Sequence, residues 1–228
     1  MKKMSHIMVL MVVALFAGNS FAGTLAGKVN FKGTAPKAKA LKMNADPYCA
    51  KANPGAVDEV ITVNGNGTLK NVFVYVKDAK GGTPVTTPVE FDQKGCVYHP
   101  RVIGVMVNQP VKIVNSDTTL HNVHGLGKKN PQFNQGMNTK GQSIEKTFKS
   151  PELALKVKCD VHGWMQAYFN VMETPFFAVT NEKGEFSITG LPAGDYTVET
   201  WHEKLGTKTE KVKVTDAGGT TEFTYAGT

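Results

Sequence analysis

Seven consecutive residues, Cys159-Asp160-Val161-His162-Gly163-Trp164-Met165, set out a thiol, an imidazole and a thioether at the spacing C-x2-H-x2-M. Thiolate and thioether are soft donors, and imidazole suits copper, zinc and iron alike. Two imidazoles and one thiolate in a trigonal plane, with a weak axial methionine, make up the ligand set of an electron-transfer copper site. The second histidine must come from elsewhere. Thr119-Leu120-His121-Asn122-Val123-His124 offers two, just after the apolar stretch Val111–Asn115. His121 and His124 stand three apart, so an extended chain turns them to opposite faces and only one can join Cys159. With four protein donors no position is left for substrate, which argues against an oxidase or hydrolase at this metal.

The elements that must position these donors read as strands. Short alternating stretches recur between clusters of Gly, Pro, Asn, Asp and Thr, and no long segment has a helical period. Leu69–Lys77, Val102–Val107, Val111–Asn115, Ser143–Phe148, Ala154–Cys159, Ala167–Met172, Phe177–Thr180, Phe186–Thr189, Tyr196–Thr200 and Lys211–Val214 are the candidates. The expected class is all-β, built of sandwiches or barrels. In the run from Leu153 to Cys159, side chains two apart share a face. Leu153, Leu155, Val157 and Cys159 are therefore expected on the buried side, with Lys156 and Lys158 opposite. A cysteine ending a buried row is equally a small core residue. The polar stretch between Gly125 and Gly141 reads as a loop.

The first residues bear on the compartment. Lys2 and Lys3 precede an unbroken apolar run, Ile7 to Ala17, and Ser20-Phe21-Ala22 offers small residues for cleavage before Gly23. That is the layout of a secretory signal peptide over residues 1–22, and the run is short for a membrane span. A periplasmic or secreted protein is expected, with no membrane span after cleavage. Losing Lys2 and Lys3 takes the formal charge from +7 to +5. The remaining lysines are scattered, with no nucleic-acid motif, so the charge reads as solubility with mild steering toward a partner. Three cysteines in an oxidising compartment leave one over. Cys159 is the one surrounded by ligand chemistry, so Cys49 and Cys96 are left, by elimination, as the disulfide candidate.

His121-Asn122-Val123-His124 followed by the C-x2-H-x2-M loop resembles the type 1 blue-copper cupredoxins, nearest in loop spacing to the amicyanins. The similarity covers about residues 86–172. It implies a Greek-key β-sandwich, one copper ion near one end, and one-electron transfer with a redox protein partner. It also implies His121 rather than His124 as the ligand beside Cys159, His162 and Met165, with Asn122 bonded across to the cysteine loop. Gly163 departs from the family pattern, standing where many relatives have Pro, and its freer backbone angles imply a looser loop. Trp164 lies between two ligands, as an apolar docking patch around His162 or as packing that shields the metal.

Residues 173–228 carry a G-x-F strand at Gly184-Glu185-Phe186, then Gly190-Leu191-Pro192-Ala193-Gly194-Asp195-Tyr196. This resembles the carboxypeptidase regulatory-like (transthyretin-like) β-sandwich, a smaller module for contact with carbohydrate or protein. Its opening strands are missing from that stretch. Gly27–Gly33 and Leu69–Val76, within residues 23–85, read like them, which implies a sandwich split by the insertion of the cupredoxin. The simpler alternative is one enlarged cupredoxin over residues 23–172 with a β appendage. In function, the alternatives to an electron carrier are a copper delivery protein, or an extracellular binding module with a non-redox metal site.

Overall fold

A computed structural model describes residues 22–227. The expected leader, residues 1–22, lies outside the described residues except for Ala22. The all-β expectation holds: the described residues form sixteen strands and one short helix. No helix among them is long and apolar enough to cross a membrane.

The central sandwich faces a five-stranded sheet against a four-stranded one. The five strands, in spatial order, are β5 (Val102–Met106), β11 (Gln166–Met172), β10 (Glu152–Lys158), β7 (His121–Leu126) and β8 (Phe133–Met137). The four are β4 (Val97–His99), β3 (Val89–Lys94), β6 (Val111–Asn115) and β9 (Ser143–Lys146). Their inward residues make one core, including Phe91, Ile113, Val123, Leu155, Val157 and Phe169. Phe91 meets the edge of the Phe169 ring at 4.8 Å, so the two sheets touch through aromatic contact.

A second sandwich is assembled from both ends of the described chain. β1 (Ala22–Lys32) lies between β13 (Glu185–Pro192) and β16 (Gly219–Ala226), pairing antiparallel to the first and parallel to the second. The facing sheet runs β12 (Phe177–Val179), β2 (Phe73–Val76), β14 (Gly194–His202) and β15 (Gly206–Val214). Val29 and Val198 therefore sit in different sheets, yet both are fully buried in the one core between them. The junction with the central sandwich buries Phe73, Tyr75 and Val102, and a partly buried ion pair joins Arg101 to Glu203.

Two sequence expectations are corrected. The stretch from Gly125 to Gly141 is not all loop, because β8 pairs with β7 across it. Its alternation is carried by polar residues around Phe133 and Met137, so no apolar stripe announces it. Leu153 is not on the buried face: it is 41% exposed, and Glu152 turns inward instead. The cause is a register shift between Glu152 and Leu155, where Ala154 adopts φ 56°. One bulged residue reverses the side-chain parity of the strand before it. Buried Glu152 is satisfied by the backbone N–H groups of Lys128, Lys129 and Asn130.

The Cys49–Cys96 disulfide is present, with Cα atoms 5.5 Å apart. It does not tie the two sandwiches together. Cys49 lies on the helix α1 (Pro47–Ala52), and both half-cystines pack into the central core with Met43. The bridge fastens a cap, residues 41–56, onto the central sandwich beside the strand ends that carry His121 and Cys159. The two sandwiches meet instead through the Arg101–Glu203 pair and the aromatic contact of Tyr168 with Trp201.

Candidate metal centre

Strand ends position the donors. β7 opens with His121, β10 ends one residue before Cys159, and the loop to β11 carries His162 and Met165. That loop is tightened by its own backbone. Met165 N–H donates to the His162 carbonyl at 2.9 Å, and Cys159 N–H donates to the Met165 carbonyl at 3.2 Å. Nothing in it calls for glycine at 163, where an added Cβ would meet no atom within 4 Å.

One donor atom from each of His121, Cys159 and His162 falls within 4.8 Å of the others, and all three residues are buried. The His121 and His162 rings face each other through Nδ1, 2.9 Å apart. Met165, 1% exposed, packs in the same core. His124 is turned away, its Nδ1 lying 3.0 Å from the Asp160 carboxylate. Two imidazoles and a shielded thiol suit a thiophilic metal of borderline softness, so the donor set fits copper.

Asn122 ties the two ligand segments. Its Oδ1 accepts from the Asp160 N–H at 2.7 Å and from the Cys159 thiol at 3.2 Å. Its Nδ2 donates to the Asp160 carboxylate at 3.0 Å. His162 N–H donates to the Cys159 sulfur at 3.3 Å. Burial pushes the Cys159 thiol up, but His121 and the backbone N–H groups of Asn122, His162 and Val161 more than offset it and leave it below its ordinary value. The thiolate needed as a ligand is thus favoured by the fold.

Trp164 packs on His162, ring centroids 5.0 Å apart, and donates its indole N–H to the Cys96 carbonyl at 2.9 Å. It packs against the site's surroundings and is partly buried. His162 itself is 3% exposed.

Two carboxylates near the rings are absent from the ligand motif. Asp117 Oδ2 lies 2.9 Å from His121 Nε2. The same side chain accepts from Gly95 N–H, Cys96 N–H and the Tyr48 hydroxyl. Burial alone would raise Asp117, but these bonds, His121 foremost, hold it down at about 2. Asp46 Oδ2 lies 3.0 Å from His162 Nε2. Asp117 had a faint sequence signal, four residues before His121. Asp46-Pro47 is a helix start by its residue types, but nothing local shows that the start reaches a histidine 116 positions on.

Fold and site together define an all-β chain whose central unit is a two-sheet β-sandwich with a buried His-Cys-His group at one end. Among solved structures the chain is similar to a copper-containing nitrite reductase from Thermus scotoductus, at 23% identity over 42% of this chain and 24% of that one, TM-score 0.35. It is similar to a variant of amicyanin in its Cu(I) form, at 20% identity over 42% of this chain and 87% of that one, TM-score 0.34. A purple cupredoxin from Nitrosopumilus maritimus matches at 21% identity over 37% of this chain and 99% of that one, TM-score 0.32. No protein-family model and no curated protein matches the sequence.

Proposed function

We propose that the chain holds one copper ion between His121, Cys159, His162 and Met165 and carries single electrons between redox partners. The observation that carries this reading is the buried His121–Cys159–His162 group, its three donor atoms within 4.8 Å of one another. Copper, when bound, supplies a one-electron couple between Cu(I) and Cu(II). The chain's own part is to keep the donors still. β7 and β10 are paired through Lys158 and His124, Asn122 locks the thiol segment, and the loop closes on itself through Met165. Such fixed second-sphere bonding orients ligands and tunes a metal. Trp164 and the cap exclude water from His162.

A buried disulfide beside this site is in keeping with a compartment outside the cytoplasm, periplasmic or secreted. The second sandwich packs β1, β13 and β16 against β12, β2, β14 and β15 around one core. We read it as a transthyretin-like spacing or contact module, toward carbohydrate or a protein partner.

Protein-film voltammetry of the copper-loaded chain tests the carrier role. A reversible one-electron wave supports it. Absence of a wave, with Cu(I) rapidly surrendered to a chelator, would replace it with metal delivery.

A further inference from the structure

The loop histidine of the proposed site is covered by a segment from far upstream in the chain. His162 directs Nδ1 toward His121, and its other nitrogen, Nε2, toward Asp46 Oδ2 at 3.0 Å. Asp46 is itself held at both oxygens. Oδ1 accepts from Tyr48 N–H at 2.8 Å and Cys49 N–H at 3.3 Å, capping α1. Oδ2 also accepts from the Thr119 hydroxyl at 2.8 Å, two residues before His121. The cap is fastened by the Cys49–Cys96 bridge, and Cys49 Sγ lies 3.6 Å from the same Nε2.

In a metal-binding imidazole, the partner of the outer nitrogen fixes the tautomer and the ring orientation. A carboxylate accepts only, so Asp46 keeps the proton on Nε2 and leaves the Nδ1 lone pair facing His121 and Cys159.

We infer that Asp46 is a positioning residue for the metal: from a disulfide-fastened cap it holds His162 in the ligating tautomer and closes that imidazole to solvent. The inference rests on the copper reading above. The competing role, a helix cap and nothing more, is separable by Asp46→Asn. Asparagine caps a helix as well as aspartate does. Its amide nitrogen in place of Oδ2 cannot accept from His162.

The test is chelator competition for Cu(II) and Cu(I), with thermal unfolding of the metal-free chain, on the parent, Asp46→Asn and Thr119→Val. The expected result is an Asp46→Asn melting midpoint within about 2 °C of the parent and copper affinity about 10–100-fold weaker. Thr119→Val leaves the α1 cap untouched and removes one bond to Oδ2. It is expected to weaken copper severalfold, and it decides the matter if Asp46→Asn does not fold. Parent-like affinity in the variants, with copper bound by the parent through Cys159, overturns this inference alone. A parent that takes up no copper through Cys159 overturns the copper reading and this inference with it.

Discussion

The Nε2 atom of His121 lies 2.9 Å from Oδ2 of Asp117, the residue four positions before it, and both side chains are buried. Asp117 also takes the N–H groups of Gly95 and Cys96, so one carboxylate connects a proposed ligand to the turn that carries half of the disulfide. Replacing it by Ala leaves buried donors without partners. Hydrogen bonds to charged groups contribute about 1.5–3 kcal/mol each and are not additive. Asp117→Ala is therefore expected to destabilise the metal-free protein by about 3 kcal/mol, read by urea unfolding. A loss under about 1 kcal/mol would show that water takes over these bonds.

Glu152 provides a second check, away from the site. It is buried and receives three consecutive backbone N–H groups, at Lys128, Lys129 and Asn130. Those bonds hold it below the ordinary glutamate range despite burial, which acts in the opposite direction and is the larger single influence. Glu152→Ala is expected to cost about 2–3 kcal/mol and to speed amide exchange at residues 128–130 specifically. Uniform exchange across the central sandwich would count against this local role.

His202 sets a pH dependence. It is 2% exposed, its Nδ1 accepts from the backbone N–H of Lys204 and Leu205, and Arg101 is nearby. Burial first, and the guanidinium second, push it down to about 4 from 6.5. The unfolded chain therefore binds the proton more readily than the folded one between those values. The stabilising contribution is complete above pH 6.5 and is lost as pH falls toward about 4, up to about 3 kcal/mol in all. His202→Gln should flatten the stability profile in that window. An NMR titration of His202 near 6.5 in the folded protein would mean that burial and Arg101 do not shift it.

Gly163 tests the ligand loop. Its backbone is not among those with positive φ, and a Cβ there meets nothing. Alanine should be accepted and should stabilise by about 0.4–1 kcal/mol through the unfolded chain. Lower stability with a disturbed metal site would mean that the loop uses glycine's freedom.

Much of this arrangement was legible where the physics is local. The thiol, imidazole and thioether lie within seven residues, and Val111–Asn115 matches β6 residue for residue. Parity failed at Leu153 because a single residue at positive φ reverses it, and alternation carries no trace of such a bulge. β8 was hidden because its pairing with β7 is backbone bonding between largely polar residues. Asp46 was out of reach for a different reason. Its partner is 116 residues away, and only the folded cap brings them together.

The visible absorption spectrum of the protein with Cu(II), repeated on Cys159→Ser, decides whether the Cys159 thiolate ligates copper. An intense thiolate-to-copper band that bleaches reversibly with ascorbate and is missing from the variant is expected of the copper site. A colourless protein, or one that holds Cu(II) equally well without Cys159, would contradict that ligation.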